Sequence, residues 1–249
     1  MLNRPILVCA IGLFSLSLAG CRTQALPPND TQSVEAVTTA YQAFAEGDCA
    51  TVESLTNEDI LETWEFNEMR HSMLLLGGFC KEMDGDLDAA RAIYRQLVVE
   101  APSSFAADDA AERIRVLKIA ETDPTYASRG KAAQDLLDHS KPNRTPLDRV
   151  PARFPPMAKA TGISGFSIIE FGVTATGETE NPVVVDSRPP LLFDGASIRA
   201  IRRWQYQRES RADPDHRQLI RLRFEPDGKT RSVEEGERTS RVPRVKKTN

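Results

Sequence analysis

The chain has 249 residues, 40% of them hydrophobic and 27% charged, and a formal net charge of −4. That overall charge hides a division, because residues 30–125 hold 20 acidic against 7 basic side chains, whereas residues 126–249 hold 16 against 23. The basic half has no aromatic-interleaved basic motif, which argues against nucleic-acid recognition and leaves anionic polymers, acidic peptides or the acidic half itself as its partners.

At the start, Arg4 gives a positive region, Ile6 to Leu18 an apolar run, and Leu18-Ala19-Gly20-Cys21 a small-residue cleavage site. Together they read as a secretory signal over residues 1–20. The apolar run is shorter than the roughly 20 residues of a membrane span. Leu18-Ala19-Gly20-Cys21 resembles a bacterial lipobox, and the resemblance implies cleavage before Cys21, lipid on its sulfur and a membrane-tethered protein facing the periplasm. Arg22 stands where that family places the Asp of inner-membrane retention, which favours the outer membrane. An uncleaved inner-membrane anchor is the alternative. Cys9 leaves with the signal, so Cys49 and Cys80 remain, and an oxidising compartment predicts a disulfide between them.

Residues 21–32, with Pro27-Pro28-Asn29-Asp30, read as a polar tether. From 33 to 140 the chain is rich in Ala, Leu and Glu at helical spacing, and predicts six helices at about 33–46, 50–56, 59–82, 86–100, 104–121 and 125–139. Gly47-Asp48 and Gly85-Asp86 recur 38 residues apart, and one further step of that length reaches Asp123-Pro124. This period points to helix pairs. In the middle pair Gly78, Gly85, Leu87, Ala90, Tyr94 and Pro102 resemble the small, turn, aromatic and proline positions of a tetratricopeptide repeat, although Lys81 replaces an expected aromatic. Generic helical hairpins fit the same pattern.

A Pro-rich linker over 141–152 leads to a compact unit at 153–226. Phe154-Pro155-Pro156-Met157-Ala158 and Gly162-Ile163-Ser164-Gly165 precede a strand at Phe166–Val173, a turn at Gly177, a strand at Pro182–Val185, a helix at about Gly195–Arg203 capped by Asp194, and a strand at Leu219–Phe224. On that helix Ser197, Ala200, Ile201 and Trp204 share one stripe, while Arg199, Arg202 and Arg203 lie outside it. The ordered series, ending in Ala200-Ile201-Arg202-Arg203-Trp204, resembles the C-terminal domain of TonB proteins, which link an inner-membrane motor to outer-membrane transporters. The fold expected is therefore α+β: a helical, tetratricopeptide-like domain followed by a TonB-C-terminal-like domain with a three-stranded antiparallel sheet and one helix. Residues 227–249 are charged, almost without large apolar side chains, and read as a disordered tail.

Chemistry is sparse. His71, His139 and His216 are scattered, no Gly-x-Ser-x-Gly elbow, HExxH or CxxC occurs, and adjacent pairs such as Asp108-Asp109 point different ways. The expectation is a non-enzymatic interaction protein without cofactor or metal, linked to energy-coupled transport through envelope proteins such as an outer-membrane transporter. A true energy transducer and a cell-wall scaffold are the alternatives. The former lacks the family's Pro-rich spanning segment, with its Glu-Pro and Lys-Pro repeats. The candidate recognition site is a sheet edge formed by Ile220, Arg221, Leu222, Arg223 and Phe224, whose arginines favour an acidic extended partner.

Overall fold

The structure, a computed structural model, describes residues 30–61, 64, 68–123, 146–208, 217–225 and 227–234. Cys21, the tether before residue 30, the sixth expected helix and the linker up to 145 lie outside these residues.

The first half is helical: α1 Asp30–Glu46, α2 Cys49–Leu55, α3 Glu58–Leu61, α4 Glu68–Met83, α5 Leu87–Glu100 and α6 Phe105–Thr122. The turns before α2 and α5 share one construction. Gly47 and Gly85 take left-handed backbone (φ 82° and 83°), and the next residue, Asp48 or Asp86, caps its helix by accepting from the Thr51 or Ala89 N–H. The 38-residue period therefore has a common physical cause in both turns. In α5 the spacing of Ala90, Tyr94 and Leu97 puts all three in the core. Tyr94 lies over Gly78 of α4, where an added Cβ would sit 2.6 Å from its ring. The single helix expected over 59–82 is instead two, and Arg70 Nε donates to the Leu61 carbonyl (3.0 Å), capping the end of α3. Cys49 and Cys80 form a disulfide joining the start of α2 to α4, with their Cα atoms 5.5 Å apart.

The second half holds β1 Pro146–Asp148, α7 Pro156–Ala160, β2 Gly165–Val173, β3 Thr179–Arg188, α8 Asp194–Ile201, β4 Gln205–Tyr206, β5 Arg217–Phe224 and β6 Thr230–Glu234. The main sheet is antiparallel, with four strands in the order β3-β2-β5-β6, and β1 pairs separately with β4. The sequence pattern predicts three strands. The fourth, β6, falls in the expected tail, and the reason is a hairpin: Glu225 N–H donates to Lys229 C=O (2.8 Å), Gly228 N–H to Glu225 C=O (2.9 Å), and Gly228 has φ 74°. Asp227-Gly228 is a hairpin turn that returns the chain along β5 rather than out into solvent.

Trp204 closes the core beneath the sheet. It is fully buried, meets Phe171 edge-on, and its Nε1–H donates to the Val150 carbonyl (2.8 Å), which ties the entry segment to the domain. Phe154 packs edge-on against both Phe193 and Phe224, which stack on each other with centroids 4.3 Å apart. The apolar cluster runs without a break from Val37 and Phe44 through Phe105 to Phe224, so the helices and the sheet share one core.

Candidate functional site

The alternation foreseen along β5 is present. Ile220, Leu222 and Phe224 are buried in the main core, whereas Arg221 is half-buried and Arg223 exposed on the opposite face. The strand is not an edge, however. β5 pairs with β2 along Gly165–Gly172 on one side and with β6 on the other, because the hairpin at Asp227-Gly228 supplies a further strand. Ile220 to Phe224 therefore contribute a surface, with their backbone groups already committed to two ladders.

Among the described residues the edges are β3 and β6. They differ. β3 carries Pro182 and two register irregularities against β2, both features that blunt an edge. β6 contains no Pro and pairs in unbroken register, from Ile220 opposite Glu234 to Phe224 opposite Thr230. Because Glu225 and Lys229 form a hydrogen-bonded pair, alternation along the ladder places the N–H groups of Thr230, Ser232 and Glu234 on the outer side of β6.

The face beside this edge is basic. Arg223 opposes Arg231 across the β5/β6 ladder, and both are exposed. Arg221 stacks over the Phe166 ring at 5.1 Å, beside a small second cluster of Ile168, Leu219, Phe166 and Val185. A cavity of about 400 Å³ opens at the end of β5, between Arg221, Arg223, Phe166 and Glu225. Its backbone wall is close: a Cβ on Gly165 would stand 1.9 Å from the Arg188 carbonyl oxygen, so only glycine lets β2 and β3 approach there.

Sequence reasoning missed a buried ionic junction between the two halves. Arg113 of α6 donates through Nε and Nη2 to Glu82 of α4, while Tyr94 Oη donates to the same carboxylate (2.9 Å). Arg113 Nη1 also stands 4.0 Å from Asp194 Oδ2, and Asp194 Oδ1 accepts from Ser167 Oγ (3.0 Å). The helical half thus reaches the sheet through charged groups with almost no exposure. Burial opposes the charge on Arg113, but Glu82 and Asp194 outweigh it and hold its pKa above the ordinary value. Burial pushes Asp194 up against the pull of Arg113, and pushes Asp109 up to about 7 against the pull of Arg199, whose Nη1 stands 2.6 Å away. Arg202 meets Glu112 (3.4 Å).

Asp194 was expected as a cap. It is instead the first residue of α8, with Phe193 at the capping position and no side-chain cap bond. The arginines outside the apolar stripe of α8 suggest a basic face, and two of them dock on Asp109 and Glu112 of α6. The missed signal lies in α6, where Asp109, Glu112, Arg113 and Val116 recur at the spacing of a buried stripe. Charged residues on such a stripe mark a paired interior.

His71 is buried and its pKa is lowered by that burial, while His139 and His216 lie outside the described residues. Among the described residues no group of three or more His, Cys, Asp or Glu side chains stands ready for a metal ion, and no helix is long and apolar enough to cross a membrane.

Residues 150–226 match the family described as the Gram-negative bacterial TonB protein C-terminal. No curated protein matches the chain. The matched segment begins at the carbonyl that accepts from Trp204 and ends just past β5, so it covers the sheet except β6, together with α7 and α8. Domains of this family interact with envelope proteins such as outer-membrane transporters.

Proposed function

We propose that this protein is a lipid-anchored envelope adaptor, tethered through Cys21 and facing the periplasm from the outer membrane, whose TonB-C-terminal-like domain captures an extended acidic segment of an envelope partner. The partner strand adds to the outer edge of β6, beside Arg223 and Arg231. The observation that carries the reading is the conjunction of the family match with an edge strand free of Pro and of register breaks and bordered by arginines. Backbone hydrogen bonds supply affinity in such an arrangement, and the arginines supply charge selection. The helical half, with its paired turns, serves as the rigid body that presents the sheet. No catalytic step is assigned to it.

Two measurements test this. Metabolic labelling with palmitate should mark the wild type and not Cys21→Ser; an unlabelled wild type rejects the anchor. For recognition, Ser232→Pro removes one outward N–H while leaving the β5 ladder intact, so it should abolish recovery of an envelope partner with its circular dichroism unchanged. Arg221→Glu with Arg223→Glu should weaken recovery at low salt. Undiminished capture by folded Ser232→Pro rejects strand addition.

A further inference from the structure

Where α6, the segment before α7 and α8 meet, a cleft of about 350 Å³ lies between the two halves. Four guanidinium side chains line it. Arg199 belongs to α8, Arg202 and Arg203 follow its last turn, and Arg153 enters from a separate segment. A helix C-terminus attracts cations, which accounts for arginines at 202 and 203. It does not account for Arg153.

The charges do not cancel within the cleft. Asp109 takes Arg199 and Glu112 takes Arg202, but among the described residues no carboxylate pairs with Arg153 or Arg203. Arg199 Nη2 is buried and meets no acceptor among the described residues. Two of the four are also held in place. The guanidinium carbons of Arg153 and Arg199 both lie over the Phe105 ring of α6, at 5.4 and 5.0 Å from its centroid. A cation–π contact leaves the N–H groups of a guanidinium for other acceptors, so the ring draws two forks together beforehand. The floor is low and apolar, built from Ala196 and Ala200 of α8 with Val150.

We propose that this cleft binds a compact anion carrying two or more negative charges, either phosphate groups or a set of carboxylates. Its volume lies at the small-molecule end of ligand sites, and fork-shaped donors suit both kinds of oxyanion. The site is complete only when α6 is docked, because Phe105 comes from the helical half and the arginines from the other. It is separate from the sheet edge and does not depend on strand addition there.

Isothermal titration of the purified full chain tests it, with pyrophosphate and citrate as probes at constant ionic strength. Saturable binding of at least one probe is expected. Arg153→Ala with Arg203→Ala should lower the affinity about tenfold or more, since each loses charge-assisted hydrogen bonds. Phe105→Leu should weaken binding while keeping all four charges, Phe105→Tyr should restore it, and Asp108→Asn, at the rim, should strengthen it. A preference for pyrophosphate assigns the phosphate class, a preference for citrate the carboxylate class, and equal binding a site that reads charge. Absence of saturable binding by either probe, or the same affinity in the folded Arg153/Arg203 double variant, overturns the proposal.

Discussion

Replacing Arg113 by Met should break the junction that joins the two halves. Arg113 has almost no exposure, and it neutralises Glu82 while standing 4.0 Å from Asp194, whose side chain is 2% exposed. Methionine keeps much of the volume but leaves two carboxylates without their cation, a loss of roughly 3–5 kcal/mol by comparison with other broken buried pairs. For a protein of this size, each kcal/mol lowers the melting temperature by about 2–4 °C, so a fall of roughly 10 °C is expected. The assay is urea unfolding of Trp64→Phe, where Trp204 fluorescence reports the sheet half and far-ultraviolet circular dichroism reports mainly the helices. The parent should show coincident transitions, because one core runs through both halves. In Arg113→Met the fluorescence and dichroism midpoints should separate. Adding Glu82→Leu and Asp194→Asn, which removes the orphaned charges, should recover much of the loss. A loss below about 1 kcal/mol for Arg113→Met, or transitions already separate in the parent, refutes a welded junction.

The same geometry makes other perturbations informative. Asp109, pushed up to about 7 by burial, holds its proton more tightly in the folded state than in the unfolded chain. Its contribution is therefore full below the ordinary carboxylate value and is lost as pH rises towards 7. Between pH 5 and 7.5 the parent should lose about 2 kcal/mol more stability than Asp109→Asn, measured by urea titration; parallel pH profiles contradict the assignment. Gly195→Ala would place a Cβ 2.3 Å from Asp109 Oδ1, so it should destabilise by about 1–3 kcal/mol and loosen α6 from α8, checked by thermal melting and amide exchange. Cys49→Ala with Cys80→Ala opens a loop spanning 31 residues and should cost about 3–4 kcal/mol in denaturant unfolding.

Much of this fold is legible in the chain because its punctuation is local. Gly-Asp turns begin α2 and α5, and the stripe Ser197, Ala200 and Ile201 is buried as a period of 3.6 demands, with Trp204 buried just past the helix end; α7 is a second helix where the pattern predicts one. The features that escaped reading depend on distant partners. β6 has little apolar content, and its strand conformation comes from pairing with β5 after the Asp227-Gly228 turn. β1 and β4 are three and two residues long, too short for any period, and exist because they meet. Asp194 resembles a cap by its position alone; Ser167 and Arg113, 27 and 81 positions away in sequence, decide its role. The basic strip of α8 carries no sequence mark of its target, yet Asp109 and Glu112 of α6 lie opposite it. The candidate edge moved for the same reason, since β5 is outermost only if no later strand pairs with it, and β6 does.

The proposal that β6 receives a partner strand is tested most directly by a photo-crosslinking amino acid placed at Ser232 of the full chain in intact envelopes. A second position, Val99 on α5, serves as the exposed control at 78% accessibility. Adducts with an envelope protein are predicted at 232 and not at 99, and adducts from position 231 should be lost when Ser232→Pro is introduced. No adduct at 232, equal yields at 232 and 99, or adducts at 231 that survive Ser232→Pro would contradict strand addition at this edge.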